Sequence, residues 1–417
     1  MRIRFAPFTL LVTLSVPPAT AQLSLPPVSP TVGGVLERAG STLRPIQGAV
    51  DEVARSATRL ADARLSRLID LVRRNRDVLE LDAAGDPARR GELLLTGASE
   101  AEVARAEAAG FAVLGRERLD TLDIAVIRLS VPARQSLGKA EVALKQLLPG
   151  AAVSADTLHF QAGGAVTART PGPAPVPAAI NQTVGMIDGA PGSAVPVAAT
   201  RGFVKGAPAS SHHGSAIASL LKSAGVRRVA VADVYGTDVA GGNALAIVRG
   251  LDWLIGTQGA CVVSISLVGP NNPLVARAIA AAQRRGVQIV AAVGNDGPAA
   301  PPSYPASYPS VIAVTAVDGR GRALIEAGRA AHLDYAAPGA DMLAANAGGK
   351  WGKVRGTSYA VPLVPPAPPR RWPRLSEEAG SSRRSTGKPW TSAARAPIRS
   401  SVAACSATAA RAESKMD

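Results

Sequence analysis

The 417 residues carry 47% hydrophobic side chains, only 3% aromatic ones and a formal net charge of +15, enough for one large or two moderate domains with a core of Ala, Val, Leu and Ile. Residues 365–417 hold ten Lys or Arg against four Asp or Glu, and nowhere do basic and aromatic residues interleave as base-stacking surfaces do, so no nucleic-acid partner is expected. Two cysteines, Cys261 and Cys405, are too few for a disulfide framework.

Residues 1–21, "MRIRFAPFTLLVTLSVPPATA", run from Arg2 and Arg4 through an apolar stretch to Ala19-Thr20-Ala21. That is the order of a secretory signal peptide, with cleavage before Gln22. Pro17 and Pro18 end the apolar run too early for a bilayer span, so no stable membrane anchor is expected and the protein reads as secreted, periplasmic or extracellular. Residues 22–90 read as a helical N-terminal segment. Within it Val50, Val53, Ala57, Leu60, Ala61, Leu65, Leu68 and Val72 recur at three- and four-residue spacing.

From 91 the pattern changes. "GELLLT", "FAVLGRERL", "LDIAVIRLS" and "AAVSADTLHF" read as strands, and "SEAEVARAEAAG" and "SLGKAEVALKQLLPG" as helices. The order β-α-β-β-α-β predicts a small ferredoxin-like α+β domain over 91–160. A Pro/Gly-rich linker is expected over 161–179. Over 180–364, short apolar runs such as "TVGMID", "RVAVADV" and "VQIVAAVGN" alternate with helical patterns. This predicts an α/β fold with a parallel sheet, helices on both faces and functional groups at the carboxyl ends of the strands.

Three segments in that unit can do chemistry. "VGMIDG" ends a strand on Asp188, "SHHGSAIASLL" opens a helix at His213, and "RGTSYAVP" presents Ser358 at a helical start. A serine hydroxyl becomes a nucleophile when an imidazole takes its proton, and a carboxylate holds that imidazole in the useful tautomer. Each residue alone has a structural reading as turn or cap. Together, each at an element boundary, they form a chemically sufficient set. His212 competes with His213 for the base but lacks the following glycine.

"HGSAIAS", "GTSYAVP", "AAVGNDGP" and "DYAAPGADM" resemble the motifs of the subtilisin-family serine endopeptidases, whose triad runs Asp, His, Ser. The resemblance covers residues 180–364 and implies a subtilisin-like fold. It makes Ser358 the nucleophile, His213 the general base and acid, Asp188 the orienting carboxylate and Asn295 an oxyanion donor, although Asn295 also suits a plain turn. "SISLVGP" resembles the edge that binds substrate as an added strand, making Ser266, Leu267, Val268 and Gly269 binding candidates for protein or peptide substrates. In the family a ferredoxin-like domain precedes the enzyme, so residues 91–160 are expected to be a propeptide that assists folding and inhibits intramolecularly, with cleavage within 161–180.

The sequence departs from the family in four places. Val268 stands where glycine is common, which narrows the pocket, and Gly189 stands where Ser or Thr usually follows the aspartate. The short interval between Asp188 and His213, and the lack of carboxylates at calcium spacing, give no support for calcium, and no metal or other cofactor is expected. In the family the serine begins a long buried helix, whereas here Pro365, Pro366, Pro368 and Pro369 follow. Of the residues in 365–417, 35 are Ala, Ser, Arg or Pro and three are Leu, Ile, Val or Phe. The catalytic unit therefore reads as C-terminally incomplete. Its tail reads as disordered or the product of a reading-frame shift near codon 364, and the chain as written is expected to be unstable, poorly matured and largely inactive. A catalytically silent binding protein that keeps the fold is the rival reading.

Overall fold

Residues 52, 54–163, 167–168 and 178–364 are described by a computed structural model. The expected signal peptide and the tail lie outside the described residues. Apart from Glu52, the described residues belong to one unit that begins at Ala54. The apolar spacing at 50–72 produces helix α1 over 54–74.

The next segment folds as β1 (Leu79–Leu81), β2 (Pro87–Thr96), α2 (Glu100–Ala108), β3 (Ala112–Leu119), β4 (Ile124–Ser130), α3 (Leu137–Leu147) and β5 (Ala152–Thr157). Antiparallel pairing gives the order β1-β2-β4-β3, with β5 also on β2. The expected β-α-β-β-α-β succession is there, but it starts before residue 91. Gly91, read as the strand's beginning, sits at φ +69° inside β2, where the pairing with β5 skips between Ala88 and Leu93. Ser99 and Glu102 form a capping box at the start of α2.

The end of β2 is buried on both faces, which is why "ELLLT" reads as one apolar run. Leu93 and Leu95 pack under α2 and α3 with Val103, Ala106, Leu137 and Leu144. Leu94, Ile124 and Val126 point the other way, into the core that surrounds the helices of the larger sheet.

After β6 (Phe160–Gln161) and β7 (Thr167–Ala168), the chain continues through β8 (Ile180–Asp188), β9 (Ala199–Gly202), α4 (His212–Ser223), β10 (Val226–Asp233), α5 (Ala244–Gly256), β11 (Val262–Ile265), β12 (Leu267–Val268), α6 (Pro273–Arg284), β13 (Gln288–Ala292), β14 (Ile312–Val317) and β15 (Tyr335–Pro338). Seven strands pair in parallel in the order β15-β14-β13-β11-β8-β10-β9. The side chains of α4 fill one face with Ile217, Leu220 and Leu221. Those of α5 and α6 fill the other with Leu245, Leu251, Val275 and Ile279.

A hairpin of β16 (Met342–Ala345) and β17 (Trp351–Val354), flanked by β7, leads to the serine. There the sequence predicts a helix, and the structure has two 3₁₀ turns, Thr357–Tyr359 and Val361–Leu363. Pro362 brings no N–H, and Val364, which precedes Pro365, is extended at φ −82°, ψ 113°, as a residue before proline prefers.

Candidate active site

Asp188 ends β8 and is fully buried. Ser211 caps α4 by accepting from the Gly214 N–H at 3.1 Å, which fixes His213 in the first turn. A side chain at 214 would begin 2.0 Å from the Gly189 carbonyl, so this glycine lets α4 abut the end of β8. The contact brings His213 Nδ1 to 2.8 and 3.0 Å from the two Asp188 oxygens. An acidic partner at Nδ1 sets the tautomer with the proton there and leaves Nε2 as the base. Nε2 is buried and has no hydrogen-bond partner among the described residues. His212 is exposed and accepts at Nδ1 from the Ala347 N–H at 3.3 Å; it does not compete.

Ser358 is fully buried in the first 3₁₀ turn. Its Oγ donates to the Ser266 carbonyl at 3.0 Å, so the hydroxyl is turned toward β12 rather than bonded to His213. Asn295 Oδ1 accepts from the Thr357 N–H at 3.0 Å, and Thr357 Oγ1 accepts from the Gly294 N–H at 3.0 Å. The loop after β13 and the serine turn are thereby tied together.

Residues 159–163 lie across these groups. The sequence assigns 161–163 to a loose linker, but they are held as a strand. Phe160–Gln161 pairs antiparallel with Leu267–Val268. The Ala162 N–H donates to the Ser266 carbonyl at 3.2 Å, and the Ala162 carbonyl accepts from the Ser358 N–H at 3.0 Å. A side chain at Gly163 would meet the Tyr359 ring at 2.7 Å. Gly356, at φ +140°, leaves open a point 2.6 Å from Asn295 Nδ2 and 3.1 Å from the Ala162 carbonyl oxygen. The carboxamide nitrogen and that carbonyl oxygen thus border the same open point.

Of the expected binding residues, Ser266 and Leu267 hold this strand through their backbone. Val268 is buried against Ala162 in one apolar cluster. Gly269 differs from expectation, because its N–H and carbonyl both pair with Tyr304, at 2.8 and 3.0 Å. Its contribution is space. A side chain there would lie 2.5 Å from the His159 ring, which is fully buried with both ring nitrogens unpartnered among the described residues.

The sequence reading missed Gln161 and Ala162. Gln161 Nε2 donates to Asp188 Oδ1 at 2.9 Å and lies 3.4 Å from Ser211 Oγ. The signal was the abrupt Gly163-Gly164 after "LHFQA", a strand with a small residue at its end. Among the described residues no group of three or more His, Cys, Asp or Glu is placed to hold a metal. None of their helices is long and apolar enough to cross a membrane.

Residues 203–367 match the sequence model of the subtilase family. Over those residues the chain is similar to that family. Over 175 residues, 39% of this chain, it is 35% identical to Subtilisin Savinase of Lederbergia lenta, 64% of which is covered. To Subtilisin E of Bacillus subtilis it is 33% identical over 174 residues, covering 40% of this chain and 45% of the relative. The chain thus spans less than two thirds of the length of these relatives. Among solved structures, that of fervidolysin from Fervidobacterium pennivorans, described as a keratinolytic enzyme related to subtilisin, superposes with a TM-score of 0.53 at 17% identity. That likeness, one of fold alone, covers 66% of this chain and 53% of the other.

Proposed function

We propose that this protein is a secreted serine endopeptidase, made as a precursor whose N-terminal unit occupies its own cleft. The observation that carries the reading is the position of Ala162: its N–H is bound by Ser266 and its carbonyl by the Ser358 N–H, beside a histidine paired to a buried aspartate. That is how a peptide bond awaiting attack is presented. Ser358 is the nucleophile, His213 the base and then the acid, and Asp188 the group that holds the imidazole. Attack requires the hydroxyl to turn from the Ser266 carbonyl to Nε2, whose lone pair is otherwise unused. The carbonyl oxygen then gains negative charge, stabilised by the Ser358 N–H and Asn295 Nδ2. His213 passes its proton to the leaving amine, and water releases the acyl-enzyme by the reverse sequence.

In this register the bond cut during maturation is Ala162–Gly163, which narrows the expected window of 161–180 to its start. The propeptide then comprises the ferredoxin-like unit together with 158–162. Its docking is extensive. Glu117 holds Arg249 of α5 through two bonds of 2.8 Å, Asp156 accepts from the Leu245 N–H at 2.9 Å, and Asn272 at the start of α6 donates to the Ala155 carbonyl and Thr157 Oγ1, both at 3.0 Å. Until released, the unit is an intramolecular inhibitor.

A fluorophosphonate probe labels Ser358 of the matured protein, and the mature chain begins at Gly163. A processed protein that stays unlabelled with His213 and Asp188 in place sinks the reading. One observation favours the rival, a silent binding protein: the Ser358 hydroxyl bonds to Ser266 rather than His213. Casein hydrolysis that disappears in Ser358→Ala separates the two.

A further inference from the structure

The Gln161 side chain reaches a group that substrates ordinarily leave to the enzyme. Asp188 Oδ1 accepts from the Gly189 N–H at 2.7 Å, and His213 Nδ1 spans both carboxylate oxygens. The Gln161 amide adds a further donor at 2.9 Å. A side chain at position 189 would begin 2.6 Å from Ser211 Cβ, so this chain has no room there for a hydroxyl. The same point is 3.5 Å from Gln161 Nε2. Ser211 thus occupies the space beside Gly189, and the further side-chain donor to Asp188 comes from the bound strand.

We propose that glutamine is a specificity determinant at the second residue on the acyl side of the cleaved bond, because its carboxamide completes the hydrogen-bond shell of Asp188. The inference rests on the endopeptidase reading and deepens it. The enzyme would act on segments ending in Gln-Ala or Gln-small, with the substrate helping to orient the triad. A buried carboxylate that loses a donor is under-solvated and free to shift, and Asp188 sets the position of His213. Methionine matches glutamine in length without donating. Glutamate places a second carboxylate against Asp188, and becomes a donor only when protonated.

The test uses peptides in trans, so that no variant has to fold. The full chain, matured by its own cleavage, is given His-Phe-Xaa-Ala-Gly-Gly peptides with Xaa as Gln, Met, Glu or Ala. The expected kcat/KM for Gln exceeds that for Met by about ten- to a hundredfold, the range for a hydrogen bond to a charged group. Glu is the slowest at neutral pH, and its rate relative to Gln recovers as pH falls through the glutamate range. A readout independent of turnover is the His213 Nδ1 proton resonance of the uncleaved Ser358→Ala chain. It moves downfield in Gln161→Met, because Asp188 becomes the stronger acceptor.

Equal kcat/KM for Gln and Met, or an unmoved resonance, overturns this inference and leaves the protease reading intact. Absence of Ser358-dependent cleavage of every peptide, by a chain whose reading frame after codon 364 has been restored, overturns both.

Discussion

The Ser358 N–H donates to the carbonyl of Ala162, 196 positions earlier in the chain, at 3.0 Å, while Ala162 packs against Val268. A donor that would stabilise a developing oxyanion is thus already occupied by the chain's own peptide group.

The residue on the acyl side of the cleaved bond is therefore expected to be small. Val268 is buried in the same apolar cluster as Ala162, so a larger side chain in place of Ala162 would have to displace it. Overpacking such a site costs about 1–3 kcal/mol, roughly ten- to a hundredfold in kcat/KM for Phe against Ala. Peptide-library profiling reads this directly. Val268→Gly should restore cleavage after Phe, and equal cleavage after Phe and Ala by the unaltered chain contradicts the argument.

Asn295 serves two bonds with different atoms, which allows its roles to be separated. Its Oδ1 holds the Thr357 N–H at 3.0 Å, and its Nδ2 borders the same open point at Gly356 as the Ala162 carbonyl. Asn295→Ala loses both, so turnover is expected to fall by about 100- to 1,000-fold and the unfolding temperature to drop. Asn295→Asp keeps an acceptor for Thr357 while losing the donor. It should be as slow yet retain more of the stability. Near-normal turnover in either variant removes Asn295 from the oxyanion site.

Two buried groups at the junction between the βαββαβ unit and the parallel-sheet unit give opposite responses to pH. Burial is the main reason that the Asp156 carboxyl is pushed up from 3.8 to about 6, against the pull of the Leu245 N–H and of Arg89 and Arg249. Burial likewise pushes the His159 imidazole down from 6.5 to about 4. The folded state therefore binds an extra proton at Asp156 between about 3.8 and 6, and its contribution to stability fades as pH rises through about 6. At His159 the folded state holds one proton fewer, so the contribution is full above 6.5 and fades as pH falls toward about 4.

Each shift of about two units corresponds to on the order of 3 kcal/mol, and the two nearly cancel. Urea unfolding of the uncleaved Ser358→Ala chain between pH 4 and 6.5 is the reference, to which Asp86, also raised from 3.8 to about 6 by burial, adds a slope of the same sign as Asp156. Relative to it, Asp156→Asn should add a loss toward acid, and His159→Gln a loss toward pH 6.5. The same slope in both variants contradicts the assignment.

Much of this site was legible because its residues sit at element boundaries that local sequence marks. Asp188 closes an apolar run, His213 precedes the glycine that lets α4 abut β8, and Ser358 follows Gly356, whose φ of +140° no side chain tolerates. The βαββαβ unit was legible from its alternating faces. The strand in the cleft was not. Its apolar content is slight, and its position comes from backbone hydrogen bonds to Ser266 and Ser358, about a hundred and two hundred residues away. No periodicity encodes such a contact. Gln161 was hidden for the same reason, and only the Gly163-Gly164 pair that follows the strand hinted at it.

The segment after Ser358 carries the last prediction. Leu363 and Val364 are held by 3₁₀ bonds to Ala360 and Val361, at 3.1 and 3.2 Å, and the chain turns extended at Val364. Beneath this turn Val361, Pro362 and Val364 border an apolar cavity of about 80 Å³, walled by Ile180, Val184, Leu221, Val262 and Val290. An apolar void beside a parallel sheet is a site where stability is lost. Four prolines among residues 365–369 bar the helix that would cover it, at roughly 3 kcal/mol each in a helix interior. The shift of reading frame near codon 364 that the sequence leads one to expect would account for this. Sequencing the gene is expected to reveal an alternative frame that continues as a Leu- and Ala-rich helix. A chain carrying that continuation should unfold at higher temperature and mature faster than the 417-residue form. Early stops in the alternative frame, together with full activity of the 417-residue form, would refute the attribution.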